Sequence, residues 1–304
     1  MPPTAKRSLL IIGGLLAAMT IAVPTSAQAA PNNWMAGIAG ATRISQITIP
    51  GTHDSGARFE TVSGTAKCQS ATIVEQLNFG VRLLDIRCRH LHDSFAIYHG
   101  PVSQNMTFTD VLNDVAAFLK ANPSETVILS VKEEHTAADN TRSFAATFAS
   151  HVAANPDIWS RAGDAPALDA VRGKIMLLSR FGTDTSMGID ASRWPDNTVF
   201  RANNLSVQDW YQVSDNDTKW NHIAKALSAA AADGNADILH LNFTSGYKPG
   251  LFNIPSITSV ADAIHPKLAA QLAATPPGHY GCILLDCADA KLCQLIYQKN
   301  TMGK

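Results

Sequence analysis

Two stretches of the chain decide the fold class: Thr126–Lys132 reads TVILSVK, and Lys174–Arg180 reads KIMLLSR. In each stretch the aliphatic residues follow one another, without the polar alternation of a strand that has one face in water. Continuous aliphatic runs of this length are typical of strands covered on both faces, as in a parallel sheet. The two stretches therefore predict a parallel α/β architecture.

Comparable runs recur along the chain and alternate with helical patterns. The predicted strands are Ile47–Pro50, Arg82–Ile86, Phe95–Tyr98, Thr126–Val131, Lys174–Ser179, Leu205–Gln208, Ile238–Phe243 and Cys282–Leu285. The predicted helices are Thr109–Ala121, Asn140–Ala153, Lys219–Ala232 and Val260–Ala273. Eight strands in one domain favour a distorted (β/α)8 barrel, irregular at Cys88–Ser94, where the link is too short for a helix. A doubly wound open sheet is the alternative.

The first residues have the pattern of an export signal. Lys6 and Arg7 precede the apolar run Leu9–Val23, and the small-residue motif Ala27–Ala29 follows. This order predicts a signal peptide cleaved near Ala29 and a secreted catalytic domain over residues 30–304. A membrane anchor is the alternative, but the run is short for a bilayer span. No later stretch is apolar enough to span a membrane.

The overall charge restricts the class of partner. The 304 residues include 24 Lys and Arg against 25 Asp and Glu, so the formal net charge is −1. This balance predicts no nucleic-acid partner and only weak attraction to anionic membranes. The chain is expected to be a monomer, and its 46% hydrophobic residues suffice for a large core.

Five cysteines follow the predicted signal peptide. In an oxidising compartment they can form two disulfides and leave one thiol. The expected pairs are Cys68–Cys88 and Cys287–Cys293. A zinc site is the competing interpretation, but no CxxC or HxxxH spacing supports it.

Polar residues follow almost every predicted strand. They are His53 and Asp54, Asp85 and Arg87, His99, Lys132 and Glu134, Arg180, Asp209 and Tyr211, and Asp286. In a barrel the carboxyl ends of the strands converge on one face, where active sites are built. The pattern therefore predicts a single polar site.

The residue types in this site suit acid–base chemistry on an anion. Histidine titrates near neutral pH, a carboxylate beside it stabilises the imidazolium, and arginine binds phosphate oxygens. Taken singly, each residue has a structural explanation: His53 as a hydrogen-bonded loop residue, Arg87 as a partner in a rim salt bridge. His90 and His92 form an H-x-H pair, for which a structural role is favoured over metal binding.

The motifs around these residues resemble those of the bacterial phosphatidylinositol-specific phospholipases C. The resemblance is carried by Thr48–Gly56, Leu84–Arg89, Tyr98–Pro101, Asn122–Thr126, Ser130–Glu134, Leu178–Arg180, Trp194–Asn197, Val207–Asp209 and Leu241–Ser245. It covers nearly all of the chain after the predicted signal peptide.

The resemblance implies a role for each matched residue. His53, oriented by Asp286, would be the general base for the inositol 2-hydroxyl, which attacks phosphorus within the same molecule. His99, paired with Asp54, would be the general acid for the leaving glycerol oxygen, and Arg87 would bind the phosphate. The products would be diacylglycerol and inositol 1,2-cyclic phosphate. The predicted inositol-binding residues are Lys132, Glu134, Arg180, Trp194, Asp196, Asp209 and Tyr211.

The resemblance also bears on cofactors and membrane contact. Calcium-dependent relatives carry acidic ligands where this chain has Arg87, so no metal and no other cofactor is expected, although Asp85 remains acidic. The expected partner is an inositol phospholipid at a membrane surface. In the loop Tyr247–Ile257, the apolar residues Leu251, Phe252 and Ile254 are candidates either for membrane contact or for buried anchors.

Two alternative functions stay open. The first is a phosphodiesterase that prefers glycosyl-phosphatidylinositol anchors or glycerophosphoinositol, which share the inositol head group. The second is a non-catalytic inositol-lipid-binding module. The acid–base pair argues against the second alternative, because binding alone requires neither an acid nor a base.

Overall fold

The computed structural model describes Met1 and residues 30–162, 165–182, 187–249 and 255–301. The predicted signal peptide, including Lys6, Arg7 and Ala27–Ala29, lies outside the described residues, and so do Leu251, Phe252 and Ile254. Among the helices that are described, none combines the length and the apolar character needed to cross a bilayer.

The elements alternate as the sequence predicts. The strands are β1 Ile49–Thr52, β2 Leu83–Leu91, β3 Ser94–His99, β4 Val102–Thr107, β5 Val127–Ala138, β6 Ile175–Ser179, β7 Ile189–Asp190, β8 Thr198–Ala202, β9 Leu205–Asp209, β10 Leu239–Phe243, β11 Lys248–Pro249, β12 Pro255–Ser256 and β13 Cys282–Leu285. The helices are α1 Ile73–Phe79, α2 Phe108–Ala121, α3 Phe144–Ala154, α4 Asn216–Ala232, α5 Thr258–Ala274 and α6 Ala290–Tyr297.

The strand order is that of a barrel. The main sheet runs β7-β6-β5-β2-β1-β13-β10-β9-β8, and all neighbours from β7 to β9 are parallel. The first strand β1 pairs both with β2 and with the last strand β13, which closes the sequence of strands on itself. In the described residues no pairing joins β7 to β8, so the barrel is open there. The predicted distorted barrel is confirmed over the doubly wound sheet.

The irregularity falls where the sequence predicts it, but its form differs. The predicted third barrel strand, β3, is a hairpin strand that pairs antiparallel with β2 and with β4. His92 and Asp93 turn the chain between β2 and β3 with φ angles of 50° and 56°. Such a short turn joins only antiparallel strands, because parallel neighbours need a long crossover. The eighth parallel strand is instead β7. This strand has only two residues, which are too few to show a strand pattern in the sequence.

Helix α3 begins later than its apolar pattern predicts, at Phe144 rather than Asn140. The preceding residues are held by the β2–β3 turn, since the backbone N–H of Thr141 donates to Asp93 at 2.8 Å. Ser143 then caps the helix by accepting from the N–H of Ala146.

Two buried layers flank the barrel wall, and the two-residue period of the strands assigns each side chain to one of them. In β2, Leu83 packs in the barrel interior, whereas Leu84 and Ile86 pack in the layer beneath the helices. Asp85 and Arg87 therefore share the inner face with Leu83.

The predicted disulfides are not formed, and all five cysteines are free thiols. Cys88 and Cys293 pack in the outer layer beneath the helices. The sulfur of Cys68 lies instead 3.7 Å from His99 Nδ1. The predicted pairs were based on closeness along the sequence, whereas the partners of each sulfur depend on which face of the strand or loop it occupies.

Candidate active site

A cavity of about 490 Å³ opens at the carboxyl ends of the barrel strands. The predicted site residues that line it are His53, Arg87, His99, Lys132, Glu134, Arg180, Trp194, Asp196, Asp209 and Tyr211. The two remaining predicted residues, Asp54 and Asp286, are buried and contact the two histidines.

The strand period explains why these residues meet. Inner-face core residues such as Met176, Leu178, Leu205, Val207, Cys282 and Leu284 are each followed, at two-residue steps, by a polar residue at the end of their strand. The same steps lead along β6 to Arg180, along β9 to Asp209 and beyond β13 to Asp286. The polar ring is therefore the continuation of the apolar interior of the barrel.

His53 lies between a carboxylate and a guanidinium. Its Nδ1 is 2.7 Å from Asp286 Oδ1, and its Nε2 is 2.8 Å from Arg87 Nη2. An ionised carboxylate can only accept and a guanidinium can only donate, so the contacts fix the tautomer. Nδ1 carries the proton, and the lone pair of Nε2 accepts from Arg87 Nη2 at the cavity.

The surroundings of His53 also shift its proton affinity. Burial lowers the pKa of His53, but the charge and hydrogen bond of Asp286, with a smaller contribution from Asp85, outweigh burial and the opposing charge of Arg87. The pKa of His53 therefore lies above its ordinary value of 6.5. A raised pKa makes the neutral ring a stronger base.

His99 has a carboxylate partner of its own. Its Nδ1 lies 2.5 Å from Oδ2 of Asp54, which is fully buried with a φ of 38°. The backbone N–H of Asp54 donates to Asp85 Oδ2 at 3.2 Å. Aspartate is one of the few residues other than glycine that adopt a left-handed φ readily, and here this conformation fits the turn that follows β1.

Arg87 is surrounded by carboxylates. Its Nε lies 3.1 Å from Asp85 and 3.8 Å from Asp54, and its Nη1 lies 3.3 Å from Glu134. Burial lowers the pKa of Arg87, but Glu134, Asp85 and Asp54 raise it well above its ordinary value. The guanidinium is therefore a fixed positive charge beside His53.

Asp85 joins the site to the second arginine. Its Oδ1 accepts from the Ser130 hydroxyl at 3.1 Å and lies 3.5 Å from Arg180 Nη1. Burial raises the pKa of Asp85, but the charges of Arg87 and Arg180 lower it to well below its ordinary range. Asp85 therefore stays ionised and holds both guanidinium groups towards the cavity.

One wall of the cavity, here called the far wall, is formed by Arg180, Trp194, Asp196, Asp209 and Tyr211. It combines an aromatic face with hydrogen-bonding groups. The guanidinium of Arg180 lies 4.1 Å from the ring centre of Trp194, whose Nε1 donates to Asp209 at 3.0 Å. The Tyr211 hydroxyl donates to Asp196 at 2.8 Å, and its burial and this carboxylate raise the pKa of Tyr211 to about 12. On the near side, Lys132 Nζ lies 2.9 Å from Glu134. Such a lining suits a polar ring with several hydroxyl groups.

Known proteins match both the sequence and this architecture. Residues 49–181 match the family model described as phosphatidylinositol-specific phospholipase C, X domain. A 1-phosphatidylinositol phosphodiesterase of Staphylococcus aureus is 30% identical over 279 residues, which cover 85% of this chain and 88% of the relative. The chain belongs to the phosphatidylinositol-specific phospholipase C family.

A second relative and a solved structure support the assignment of the chain to this phospholipase C family. A 1-phosphatidylinositol phosphodiesterase of Listeria monocytogenes is 31% identical over 222 residues, 70% of this chain and 68% of that protein. A crystal structure of a substituted S. aureus phosphatidylinositol-specific phospholipase C has a TM-score of 0.82 and 29% identity, covering 90% of this chain and 98% of that one.

Some residues of the site are not among the predicted ones. Thr65, Gly246 and Tyr247 also line the cavity, and Cys68 lies beneath it. Asp85 was recognised in the sequence as a strand-end polar residue but was given no role in the site. It lies two residues before Arg87, on the same face of the strand. Cys68 had none, because it lies in a loop whose path no local pattern determines. His90, for which a structural role was expected, is buried with its Nε2 2.8 Å from the Thr147 hydroxyl.

Proposed function

We propose that this chain cleaves phosphatidylinositol to diacylglycerol and inositol 1,2-cyclic phosphate by acid–base catalysis. One observation carries the proposal: two histidines, each hydrogen-bonded to a buried carboxylate, face one cavity beside a guanidinium. Cleavage of a phosphodiester requires a base for the attacking hydroxyl, an acid for the leaving oxygen and positive charge for the phosphate. A binding module needs neither the base nor the acid.

His53 is the base in this proposal. When the lipid binds, its phosphate replaces His53 as the acceptor of the Arg87 hydrogen bond. The Nε2 lone pair is then available to the inositol 2-hydroxyl. Nε2 takes the hydroxyl proton as the oxygen attacks phosphorus, and Asp286 stabilises the imidazolium that forms. Because the nucleophile belongs to the substrate, the enzyme supplies no serine or cysteine nucleophile.

His99 is the acid. As the bond from phosphorus to the glycerol oxygen breaks, the protonated Nε2 of His99 donates its proton to that oxygen, and diacylglycerol leaves. Asp54 stabilises the imidazolium before transfer. The reaction leaves His53 protonated and His99 neutral, so proton exchange with solvent, or hydrolysis of the cyclic product with the roles reversed, restores the starting state.

Arg87 provides the positive charge. Its three carboxylate neighbours hold the guanidinium in place and ionised, and a guanidinium binds two phosphate oxygens at once. We therefore propose that the reaction needs no divalent cation, since a fixed cation already lies beside His53.

The polar lining of the cavity supports an inositol ring as the recognised group. Lys132, Glu134, Asp196, Asp209 and Tyr211 offer donors and acceptors for the ring hydroxyls, and Trp194 offers an apolar face. Glycosylated inositol anchors and glycerophosphoinositol carry the same head group and are the alternative substrates.

Location and assembly follow from the sequence. We infer that the chain is exported by a signal peptide cleaved near Ala29, and that the domain over residues 30–304 acts as a monomer at a membrane surface. Mass spectrometry of the protein from the culture medium would give the first residue, and light scattering would give the oligomeric state.

The test is the release of water-soluble inositol phosphate from phosphatidylinositol vesicles, with phosphatidylcholine vesicles as the control. We expect equal release in EDTA and in calcium, with a cyclic phosphate identified by phosphorus NMR. Release only with calcium would contradict the role of Arg87. Vesicle binding without release of diacylglycerol would favour the binding module, and release only from glycosylated anchors would favour the alternative substrate.

A further inference from the structure

The thiol of Cys68 lies between the two histidine–carboxylate pairs. The side chain is fully buried, and Sγ is 3.7 Å from His99 Nδ1. The backbone fixes this position: the Cys68 N–H donates to the Ala57 carbonyl at 2.9 Å, and the Cys68 carbonyl accepts from the Cys287 N–H at 2.7 Å. The proposed catalytic steps do not use this thiol.

Two groups of metal-ligating atoms share this sulfur. In the described residues, Asp54, Cys68 and His99 form one group and His53, Cys68 and Asp286 the other, with ligand atoms within 4.8 Å of one another in each. Zinc binds thiolate sulfur at 2.3 Å and imidazole nitrogen near 2.0 Å, so ligands of a tetrahedral ion lie about 3.3–3.8 Å apart. The 3.7 Å between Sγ and Nδ1 falls within this range, whereas the 2.5 Å between Nδ1 and Asp54 Oδ2 must lengthen when the ion replaces the shared proton.

The group that contains Asp54 has spare ligand capacity. Oδ1 of Asp54 is buried and has no hydrogen-bond partner among the described residues. Both oxygens of Asp286, by contrast, have partners: Oδ1 contacts His53, and Oδ2 accepts from the Gly246 N–H at 3.4 Å. A buried carboxylate oxygen without a partner is costly, and metal coordination would satisfy it.

We propose that Cys68, His99 and Asp54 form a binding site for a thiophilic divalent ion, with Zn²⁺ as the typical ligand, and that its occupancy inhibits the enzyme. The thiolate and the carboxylate together cancel the charge of the ion. The thiol proton and the Nδ1 proton of His99 pass to solvent as the sulfur–metal and nitrogen–metal bonds form, His99 keeps its Nε2 proton, and the fourth position falls to water.

Inhibition follows from the ligands that the ion uses. The metal takes the Nδ1 position that otherwise pairs with Asp54, so His99 loses the carboxylate that stabilises its imidazolium form. Only this inhibition depends on the proposed function, since metal binding does not require catalysis. Calcium prefers oxygen ligands and avoids thiolates, so it should neither bind here nor inhibit.

Binding is measured without substrate, on the full chain in its reduced form. We expect a competition titration with a chromogenic chelator to give one Zn²⁺ per chain, and Co²⁺ to give a thiolate-to-metal charge-transfer band. Cys68→Ser should weaken Zn²⁺ binding by about 100-fold or more and abolish the cobalt band. The matched control is Cys287→Ser, which removes the neighbouring, more accessible thiol and should change neither signal.

A second variant keeps the test decisive if Cys68→Ser does not fold. Asp54→Asn retains the thiol but removes the charged ligand, and should weaken Zn²⁺ binding by about 10-fold or more while the cobalt band persists. Zinc binding to Cys68→Ser as tight as to the unsubstituted protein, or loss of the cobalt band in Cys287→Ser, would overturn the site.

Activity provides the second readout. Zn²⁺ should inhibit release of inositol phosphate, EDTA should restore it, and the activity retained by Cys68→Ser should be insensitive to the same Zn²⁺ concentration. Zinc binding with the expected variant pattern in a protein without lipase activity would reject the proposed function and leave the metal site intact. Bound Zn²⁺ with unchanged activity would reject the inhibition.

Discussion

Each end of the barrel buries an arginine among acidic groups, but the two arginines are used differently. At the amino end, the guanidinium of Arg82 lies 2.8 Å from Glu125, and both side chains are inaccessible to water. Arg82 also donates to the carbonyls of Leu77 and Val81. All of these partners are protein groups, and neither Arg82 nor Glu125 lines any of four cavities formed by described residues.

At the carboxyl end, Arg87 is 13% exposed at the cavity and directs one donor at His53 Nε2, the nitrogen that takes the hydroxyl proton in the proposed mechanism. Around it, Asp54 Oδ1 and Arg180 Nε are buried without partners in the described part of the chain. Buried polar groups are normally satisfied, and exceptions are typical of functional sites. The two arginines therefore differ in access rather than in burial of charge as such: Arg87 directs a donor at a group that faces a cavity, whereas Arg82 has only protein partners.

The largest effect is expected when the histidines at the carboxyl end of the barrel are removed. His53→Ala and His99→Ala should each lower kcat by about 10³–10⁴-fold, because each removes one proton-transfer step. Circular dichroism and the melting temperature should change little. Near-normal turnover of phosphatidylinositol by either variant would disprove the two-histidine mechanism.

The next effect tests the buried arginine at the amino end of the barrel. Arg82→Met leaves the Glu125 carboxylate buried without its partner, which should lower the free energy of unfolding by about 3–5 kcal/mol. Urea denaturation measures the loss, and kcat per folded molecule should be retained. An unchanged unfolding midpoint would mean that Arg82 does not stabilise the amino end.

Arg87→Lys sharpens the comparison because it keeps the charge but removes the planar fork. We expect kcat/KM to fall by about 10²-fold, since a point charge cannot bind two phosphate oxygens at once. The unfolding free energy should change by less than in Arg82→Met. A larger loss of stability than of activity would place Arg87 with the structural arginine.

The smallest effect concerns pH. The base form of His53 is neutral, and its pKa is raised above 6.5, so kcat/KM should decline with falling pH from above 6.5, by about 10-fold per pH unit. Asp286→Asn removes the group that raises this pKa and should move the acid limb to lower pH. A limb that stays in place would show that another group titrates.

Part of the fold was predictable because strand period and burial are local properties. The aliphatic run before Arg180 predicted a strand, and the end of that run placed Arg180 at the carboxyl face of the barrel. The β2–β3 hairpin and the two-residue strand β7 were not predictable in the same way. Hairpin and barrel strands have similar apolar content, and a strand of two residues has no period.

The residues of the candidate site also divide into those that local sequence predicts and those that it does not. The polar residues at strand ends were recognisable because the carboxyl ends of barrel strands converge on one face, and the family resemblance supplied their expected roles, which stay predictions. The disulfide prediction failed because it relied on proximity along the chain. Sulfur partners depend on the face and the loop path that each cysteine occupies.

The sequence by itself determined that a parallel barrel carries basic, acidic and imidazole groups at one end, since these residues follow the aliphatic runs that form its strands. Only the tertiary structure decided which groups touch: His53 meets Asp286 across 233 positions, and Cys68 meets His99 across 31. Such contacts join loops from different strands. Their geometry depends on strand register and loop path, which no short stretch of sequence encodes.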